Sequence, residues 1–293
     1  MDKKVVFRSS WLPWVLITPQ VAVITLFFFW PAAQALLQSF QQSDAFGTQV
    51  EWVGMENFVN LWNDEPYLAS FKTTAVFSIL VAGLGIGLSL VLAVFADRIG
   101  RGSMFYRTLL IWPYAVAPAV AGVVWPFLFS PSIGILPYLL LIIHFKWDSL
   151  LNGNHAMALI VRAAVWKQIS YNFLFFLAGL QSIPKSLMEA AAIDGAKPWR
   201  RFWTIQVPLL SPTTFFLLVI NVVYAFFDTF AIVDNATKGG PGKDTAILVY
   251  KVYFDGFKAL DLGGSAAQSV VLMFIVVILT VVQFRYVENK VTY

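Results

Sequence analysis

Cysteine is absent from the 293 residues, and histidine occurs only twice, at His144 and His155. The lack of cysteine excludes disulfides, cysteine-ligated zinc, iron–sulfur clusters and a thiol nucleophile. The two histidines lie about 11 residues apart in a predicted outer loop, and two solvated loop histidines are expected there in preference to a metal-binding pair. The sequence therefore predicts no metal site.

Motifs for nucleotide hydrolysis and for hydrolytic catalysis are also lacking. No G-x-x-x-x-G-K-[ST], H-E-x-x-H or G-x-S-x-G occurs in the chain. Residues 239–244 resemble a phosphate-binding loop superficially, but Asp244 stands where Ser or Thr is required. We expect no catalytic residue and no cofactor in this chain, so energy for any transport comes from a partner or an ion gradient.

Charge is scarce, and long apolar runs are abundant. Charged residues make up 12% and hydrophobic residues 59% of the sequence, whereas a soluble domain carries about 25% charged residues. Six stretches approach the length of about 20 apolar residues that a membrane-spanning helix needs. The predicted spans are 12–40, 71–96, 108–130, 156–181, 209–233 and 266–284. The apolar run 133–145 is too short and contains Pro137, which predicts an interfacial or re-entrant element.

Lysine and arginine are distributed unequally over the two sides of these spans. One side carries 12 of them, in the two termini and in the connections after the second and fourth spans, and the other side carries 5. The positive-inside rule places the denser side in the cytoplasm, with both termini inside. This scattered charge indicates membrane orientation and no nucleic-acid partner.

No internal duplication or linker divides the chain, so we expect a single all-α transmembrane domain over residues 1–293. The N-terminal apolar stretch has no small-residue cleavage site, which predicts a retained first helix instead of a removed signal peptide. Prolines within the spans indicate bent helices.

The connection after the fourth span, residues 182–208, has the features of a short helix outside the membrane. Ser186 and Glu189 form a predicted capping box at its start, and Gly195 suits its end. Five apolar side chains would be exposed on it: Leu187, Met188, Ile193, Trp199 and Phe202. Such a helix is either a docking surface for a protein or an interfacial helix on lipid.

The loop carries a specific pattern: Glu189-Ala190-Ala191, then Gly195, then Ile205 and Pro208. With Val207 in place of the usual leucine, it resembles the signature of permease subunits of binding-protein-dependent ABC importers. The resemblance implies that Glu189, Ala190, Ala191, Asp194 and Gly195 form the coupling contact with a cytoplasmic ATPase. It further implies a homodimeric ATPase that binds ATP and Mg, a second permease subunit, a periplasmic solute-binding protein and a bacterial inner membrane.

Segments 178–184 and 237–241, with Thr245, resemble the carbohydrate-uptake type of these importers. Four further segments, 113–118, 165–173, 223–230 and 280–288, resemble the branch that imports sn-glycerol-3-phosphate. The implied function is ATP-driven import of sn-glycerol-3-phosphate by alternating access, with related glycerophosphodiesters as further candidates. A permease for a neutral sugar or oligosaccharide is the alternative.

Polar side chains inside the predicted spans are candidates for a solute path, because they are costly in lipid. The candidates are Lys167, Tyr171, Asn172, Asn221, Tyr224, Asp228 and Gln268. Asn221, Tyr224 and Asp228 are spaced for one helix face, and Lys167 lies near mid-membrane. Structural roles are the alternative: Lys167 paired with Asp228, and Arg162 extending to the outer interface.

Two other classes of protein compete with this interpretation. A secondary transporter would not need the Glu-Ala-Ala loop, and most such folds show internal repeats, which are absent here. An intramembrane enzyme would need a nucleophile or a metal constellation, and the sequence shows neither.

Overall fold

The computed structural model describes residues 11–44, 49–99 and 102–287. The basic residues of the N-terminal segment 1–10, together with Arg101 and Lys290, entered the orientation prediction and lie outside the described residues. The described part is predominantly helical, which confirms the all-α prediction in its main feature.

The helices and strands follow one another along the chain in this order: α1 Leu12–Ile24, α2 Trp30–Gln38, β1 Gln41–Ser43, β2 Val50–Trp52, α3 Glu56–Asn63, α4 Glu65–Arg98, α5 Ser103–Ala115, α6 Pro118–Leu128, α7 Ile135–Ile142, α8 Gly153–Ser182, α9 Lys185–Ile193, α10 Pro198–Arg201, α11 Val207–Leu209, α12 Ser211–Val223, α13 Phe230–Ala236, α14 Leu248–Tyr253 and α15 Leu262–Val282. Single π-helical turns occupy Thr25–Phe29, Phe202–Gln206, Tyr224–Asp228, Phe254–Lys258 and Gln283–Val287.

Within the described residues, four continuous helical segments are long and apolar enough to cross a membrane: Leu12–Gln38, Glu65–Arg98, Ser211–Asp228 and Leu262–Arg285. A fifth is added if the bent pair of α5 and α6 forms one span. The prediction of about six spans is therefore not confirmed by length and composition among the described residues. The predicted fourth span does form the 30-residue helix α8. Its many polar side chains lower its hydropathy, and this helix packs against α4, α5, α6, α12 and α13.

The predicted third span is broken instead of continuous. Helices α5 and α6 meet at an angle of 104°. Val116 and Ala117, between them, have extended backbone conformations, with ψ of 130° and 142°. The residue before a proline is disfavoured in the helical conformation, so Pro118 ends one helix and begins the next. The short run 133–145 contains only the eight-residue helix α7, in agreement with its predicted inability to span.

The chain forms two compact units, the first comprising Met1–Asn63 and Val252–Val271. In this unit β1 and β2 pair as an antiparallel hairpin, which the sequence analysis missed. The side-chain amide of Asn57 donates to the carbonyl oxygens of Ser39 and Gln41 at 3.0 and 2.9 Å. The predicted single domain stays a prediction.

The second unit, Asp64–Lys251 with Leu272–Tyr293, is built around α4 and α8. Phe77 and Val81 of α4 and Ala163 of α8 are buried in one apolar cluster, while Phe173 and Phe176 belong to a second. Lipid tails are as apolar as these side chains, so close packing and interhelical hydrogen bonds hold such helices together.

Candidate functional site

The short helix predicted in the loop 182–208 is present as α9, but its start differs from the prediction. Lys185 is the first helical residue, and Pro184 is the N-cap, with no side-chain capping hydrogen bond. The capping box predicted for Ser186 and Glu189 is therefore wrong. The backbone is already helical one residue earlier, so Ser186 lies inside the first turn and not at its boundary.

The end of α9 agrees with the prediction for Gly195. This residue has a left-handed backbone conformation, with φ of +76°. Its N–H donates to the carbonyl oxygen of Ala192 at 3.1 Å, and the N–H of Ala196 donates to that of Ala191 at 2.9 Å. These two bonds define a Schellman motif, which favours glycine because a β-carbon is disfavoured at positive φ.

The surface of α9 is open. Glu189, Ala190, Asp194 and Gly195 are exposed, and Ala191 is half-buried. Ile193 is the most exposed apolar side chain of the helix, at 87%. A guanidinium N–H of Arg201 donates to the carbonyl oxygen of Met188 at 3.1 Å and ties α9 to the following helix. The candidate coupling residues therefore form an accessible surface on a supported helix.

Asn172 and Asn221 are brought together across α8 and α12. The Asn172 side-chain N–H donates to Asn221 Oδ1 at 3.1 Å, and Asn221 donates back to Asn172 Oδ1 at 2.8 Å. Asn221 also donates to the carbonyl oxygen of Leu217 at 2.7 Å. Both asparagines are fully buried. The arrangement is a satisfied interhelical amide pair.

Tyr224 and Asp228, predicted to share a face with Asn221, are the first and last residues of a π-helical turn. Tyr224 is buried and donates to the carbonyl oxygen of Ala164 at 3.3 Å, whereas Asp228 is exposed. Hydrogen bonds five residues apart change the angle between successive side chains, so spacing for an α-helix does not hold here. Tyr224 and Asp228 still interact electrostatically, and the shared face stays a prediction.

Lys167 reaches the break between α5 and α6. Its ammonium group donates to the carbonyl oxygens of Tyr114 and Val116 at 3.2 and 2.8 Å, and lies 5.5 Å from the centre of the Tyr114 ring. These carbonyls belong to a helix end that lacks intrahelical partners and carries partial negative charge. Lys167 also interacts electrostatically with Asp228, its predicted partner, but its hydrogen bonds go to the two carbonyl groups.

Of the remaining candidates, Tyr171 adjoins the Tyr114 ring that Lys167 faces. Tyr171 is half-buried, with its ring 5.9 Å from Tyr114 and 4.8 Å from Phe175. Gln268 belongs to the first unit, where it donates to Asp255 at 2.6 Å and is buried. Arg162 lies over the rings of Phe129 and Trp147.

Sequence reasoning missed two features of this region. The carbonyl partners of Lys167 were not considered, although Pro118 signals a break with unsatisfied carbonyl groups before it. The glycines Gly83, Gly85 and Gly87 indicate close helix packing, but the side chains that pack against Gly85 were not identified. A β-carbon there would lie 3.3 Å from both Asn172 Nδ2 and Asn221 Oδ1.

Metal chemistry finds no support in the described ranges. Within them, no group of three or more histidine, aspartate or glutamate side chains could hold a metal ion. His155 accepts from the main-chain N–H of Asp148 at 3.0 Å and stacks on Trp147.

The exposed helix α9 carries residues of the importer pattern, and a family signature covers most of the chain. Residues 85–293 match the family described as "Binding-protein-dependent transport system inner membrane component". The chain belongs to this family. It is a multi-pass transport subunit of the ABC importer class, and in that class the ATPase is a separate subunit. This membership excludes the two competing classes, secondary transporters and intramembrane enzymes.

Relatives of this permease are similar over their full lengths. It is 61% identical, over 99% of both chains, to the "sn-glycerol-3-phosphate transport system permease protein UgpA" of Rhizobium meliloti (strain 1021). It is 60% identical, over the same shares, to the protein of that name in Agrobacterium fabrum (strain C58 / ATCC 33970). A bacterial alginate ABC transporter in complex with its alginate pentasaccharide-bound periplasmic protein has a chain of the same fold. The TM-score is 0.79 at 20% identity, over 93% of this chain and 92% of that one.

Proposed function

We propose that this permease translocates sn-glycerol-3-phosphate across the bacterial inner membrane as part of an ATP-driven importer. The observation that carries the proposal is identity of about three residues in five, over nearly the whole chain, to permeases named for that solute. Its partners are a second permease subunit, a homodimeric cytoplasmic ATPase that binds ATP and Mg, and a periplasmic solute-binding protein.

The coupling contact in this proposal is α9. Glu189, Ala190, Asp194 and Gly195 are exposed, and Ile193 projects an apolar side chain that would be costly to leave in water. A groove in the ATPase that receives this helix would bury Ile193. The Schellman end at Gly195 then fixes where the chain leaves the groove.

The solute path in this proposal centres on Lys167 and Tyr171, with Asp228, whose charge Lys167 offsets; all three keep exposed or half-buried surface. A phosphate monoester carries close to two negative charges and needs cationic and hydroxyl donors. Asn172, Asn221 and Tyr224 are buried and hydrogen-bonded in this conformation, so they contact the solute only where alternating access separates α8 from α12.

Reconstituted importer with its binding protein tests the solute assignment. ATPase activity is measured with sn-glycerol-3-phosphate and with maltose. Stimulation by the phosphate ester alone supports the proposal. Stimulation by maltose alone would keep the coupling assignment and overturn the solute assignment.

A further inference from the structure

A cavity of about 750 Å³ lies beside the coupling helix and is not part of the proposed solute path. The ends of α4 and α8, the helices α9 and α10, and the π-helical turn Phe202–Gln206 all contribute to its wall. Its volume is in the range of about 300–1,000 Å³ that binding pockets for small molecules occupy. The cavity is therefore large enough for a headgroup-sized ligand.

The charged side chains of this cavity are mostly basic. Arg98, Lys185 and Arg201 line it, against one acid, Asp97, and the amide of Gln206 adds neutral hydrogen-bonding groups. Three cations against one anion make the cavity attractive to a negatively charged ligand.

Arg201 has a hydrogen-bond donor without a partner among the described residues. Its Nη1 donates to the carbonyl oxygen of Met188, whereas its Nε is buried and has no hydrogen-bond partner within the described residues. A buried donor without a partner costs about 1–3 kcal/mol. The planar guanidinium presents neighbouring N–H groups in the geometry that suits phosphate oxygens, so a phosphate that displaces the side chains now covering Nε would satisfy this donor.

An exposed aromatic cluster lies next to Arg201 in the chain, on α10 and the π-helical turn that follows it. Trp199 and Trp203 are 72% and 52% exposed. Their rings lie 5.6 Å apart, and Phe202 lies 5.1 Å from Trp203. Tryptophan is enriched where a membrane meets water, because the ring is apolar and its N–H is polar. This cluster argues that the anion comes from the membrane surface and not from free solution.

We propose that the cavity binds the phosphate of an anionic phospholipid headgroup from the cytoplasmic leaflet. Basic pockets between membrane helices on the cytoplasmic side recognise headgroups of this kind. The lipid phosphate is held by Arg201, Lys185 and Arg98, and the Trp199–Trp203 cluster packs at the interface above the acyl chains. In this arrangement, one side of the coupling helix contacts lipid and the opposite side contacts the ATPase. The site does not depend on which solute is transported.

The test uses the assembled importer in nanodiscs of phosphatidylcholine with increasing phosphatidylglycerol. Phosphatidylglycerol that stays bound is counted by native mass spectrometry. Lys185→Gln removes a cavity charge but none of the hydrogen bonds described in the structure, and Arg201→Gln removes the unpartnered donor. Each is expected to weaken phosphatidylglycerol binding about fivefold, which corresponds to about 1 kcal/mol per basic residue near the membrane surface.

Arg200→Gln is the matched control, since Arg200 lies beside Arg201 but does not line the cavity. It is expected to bind phosphatidylglycerol as the unmodified complex does. Equal losses in all three variants would mean general surface attraction and would overturn the proposal, as would no loss in any. Inorganic phosphate is titrated in the same nanodiscs. Displacement of phosphatidylglycerol by phosphate, with the same dependence on Arg201, would show a free-phosphate site and overturn the lipid assignment.

Discussion

Asn172 and Asn221 exchange two hydrogen bonds across α8 and α12, at 3.1 and 2.8 Å, in a fully buried position. Replacement of either one by alanine leaves the other without its partner. We expect each single variant to destabilise the complex by about 1–2 kcal/mol. The double variant is expected to cost less than the sum, because no amide remains unpaired.

Thermal denaturation of the purified importer measures these differences. Asn154→Ala, at an exposed position near the start of α8, is the control and is expected to leave the melting temperature unchanged. Additive losses in the double variant would contradict a coupled pair.

Gly85 lies against this amide pair, whereas Gly83 and Gly87 have nothing within 4 Å of a β-carbon. We expect Gly85→Val to lower the melting temperature, because its side chain would push Asn172 and Asn221 apart. Gly83→Ala is expected to be neutral or stabilising, since alanine favours a helix over glycine by about 1 kcal/mol. Equal changes in melting temperature at the two positions would show that the Asn172–Asn221 pair does not determine how closely α4 approaches α8 and α12.

Lys167 bonds two carbonyl groups at the break between α5 and α6. In Lys167→Met both carbonyls lose a charged donor, and charge-assisted hydrogen bonds are worth about 1.5–3 kcal/mol. We expect uptake by the assembled importer to fall at least about tenfold. Lys167→Arg is expected to retain part of it, because the charge remains.

Lys72→Met is the matched control, as an exposed lysine on α4. Uptake kinetics separate the two roles of Lys167. A raised KM indicates a solute contact, whereas a reduced maximal rate at unchanged KM indicates support of the break. Full uptake by Lys167→Met would exclude both roles.

Gly195 has a φ of +76°, which a β-branched residue adopts at a cost of about 1–2 kcal/mol. We expect Gly195→Val to distort the end of α9 and to reduce the amount of ATPase that co-purifies with the permease. Gly195→Asn is expected to be milder, because asparagine tolerates this conformation. Gly242→Val imposes similar strain at φ of +59° in another loop and should retain the ATPase. Retention of the ATPase by Gly195→Val would contradict a coupling role for this helix end.

Ile193 is the exposed apolar side chain of α9. An aspartate there would be buried as an unpaired charge in a protein groove, so Ile193→Asp is expected to abolish ATPase binding. Leu151→Asp changes a side chain of similar exposure, 83%, in another loop, and should bind the ATPase normally. Co-purification on tagged permease distinguishes the two. If the Ile193→Asp variant binds the ATPase normally, Ile193 is not part of the ATPase contact.

The loop 182–208 shows how far local sequence reasoning reaches. Gly195 was placed correctly at the end of α9, because a left-handed conformation strongly favours glycine. The start of the helix was misplaced at Ser186, since a good capping residue indicates a boundary only where the backbone actually leaves the helix. The hairpin of β1 and β2 went unnoticed, because two strands of three residues leave little periodic signal.

The sequence by itself determined that the chain is a helical membrane protein of the importer permease family, because composition and a fixed motif do not depend on the fold. Tertiary structure alone decided what Lys167, Asn172, Asn221 and Asp228 contact. A polar residue in an apolar run needs a hydrogen-bond partner. Which residue becomes that partner depends on which helices meet and at what angle. The break before Pro118 leaves carbonyl groups that accept hydrogen bonds from Lys167. The π-helical turn Tyr224–Asp228 changes the direction of successive side chains, and Asp228 is exposed.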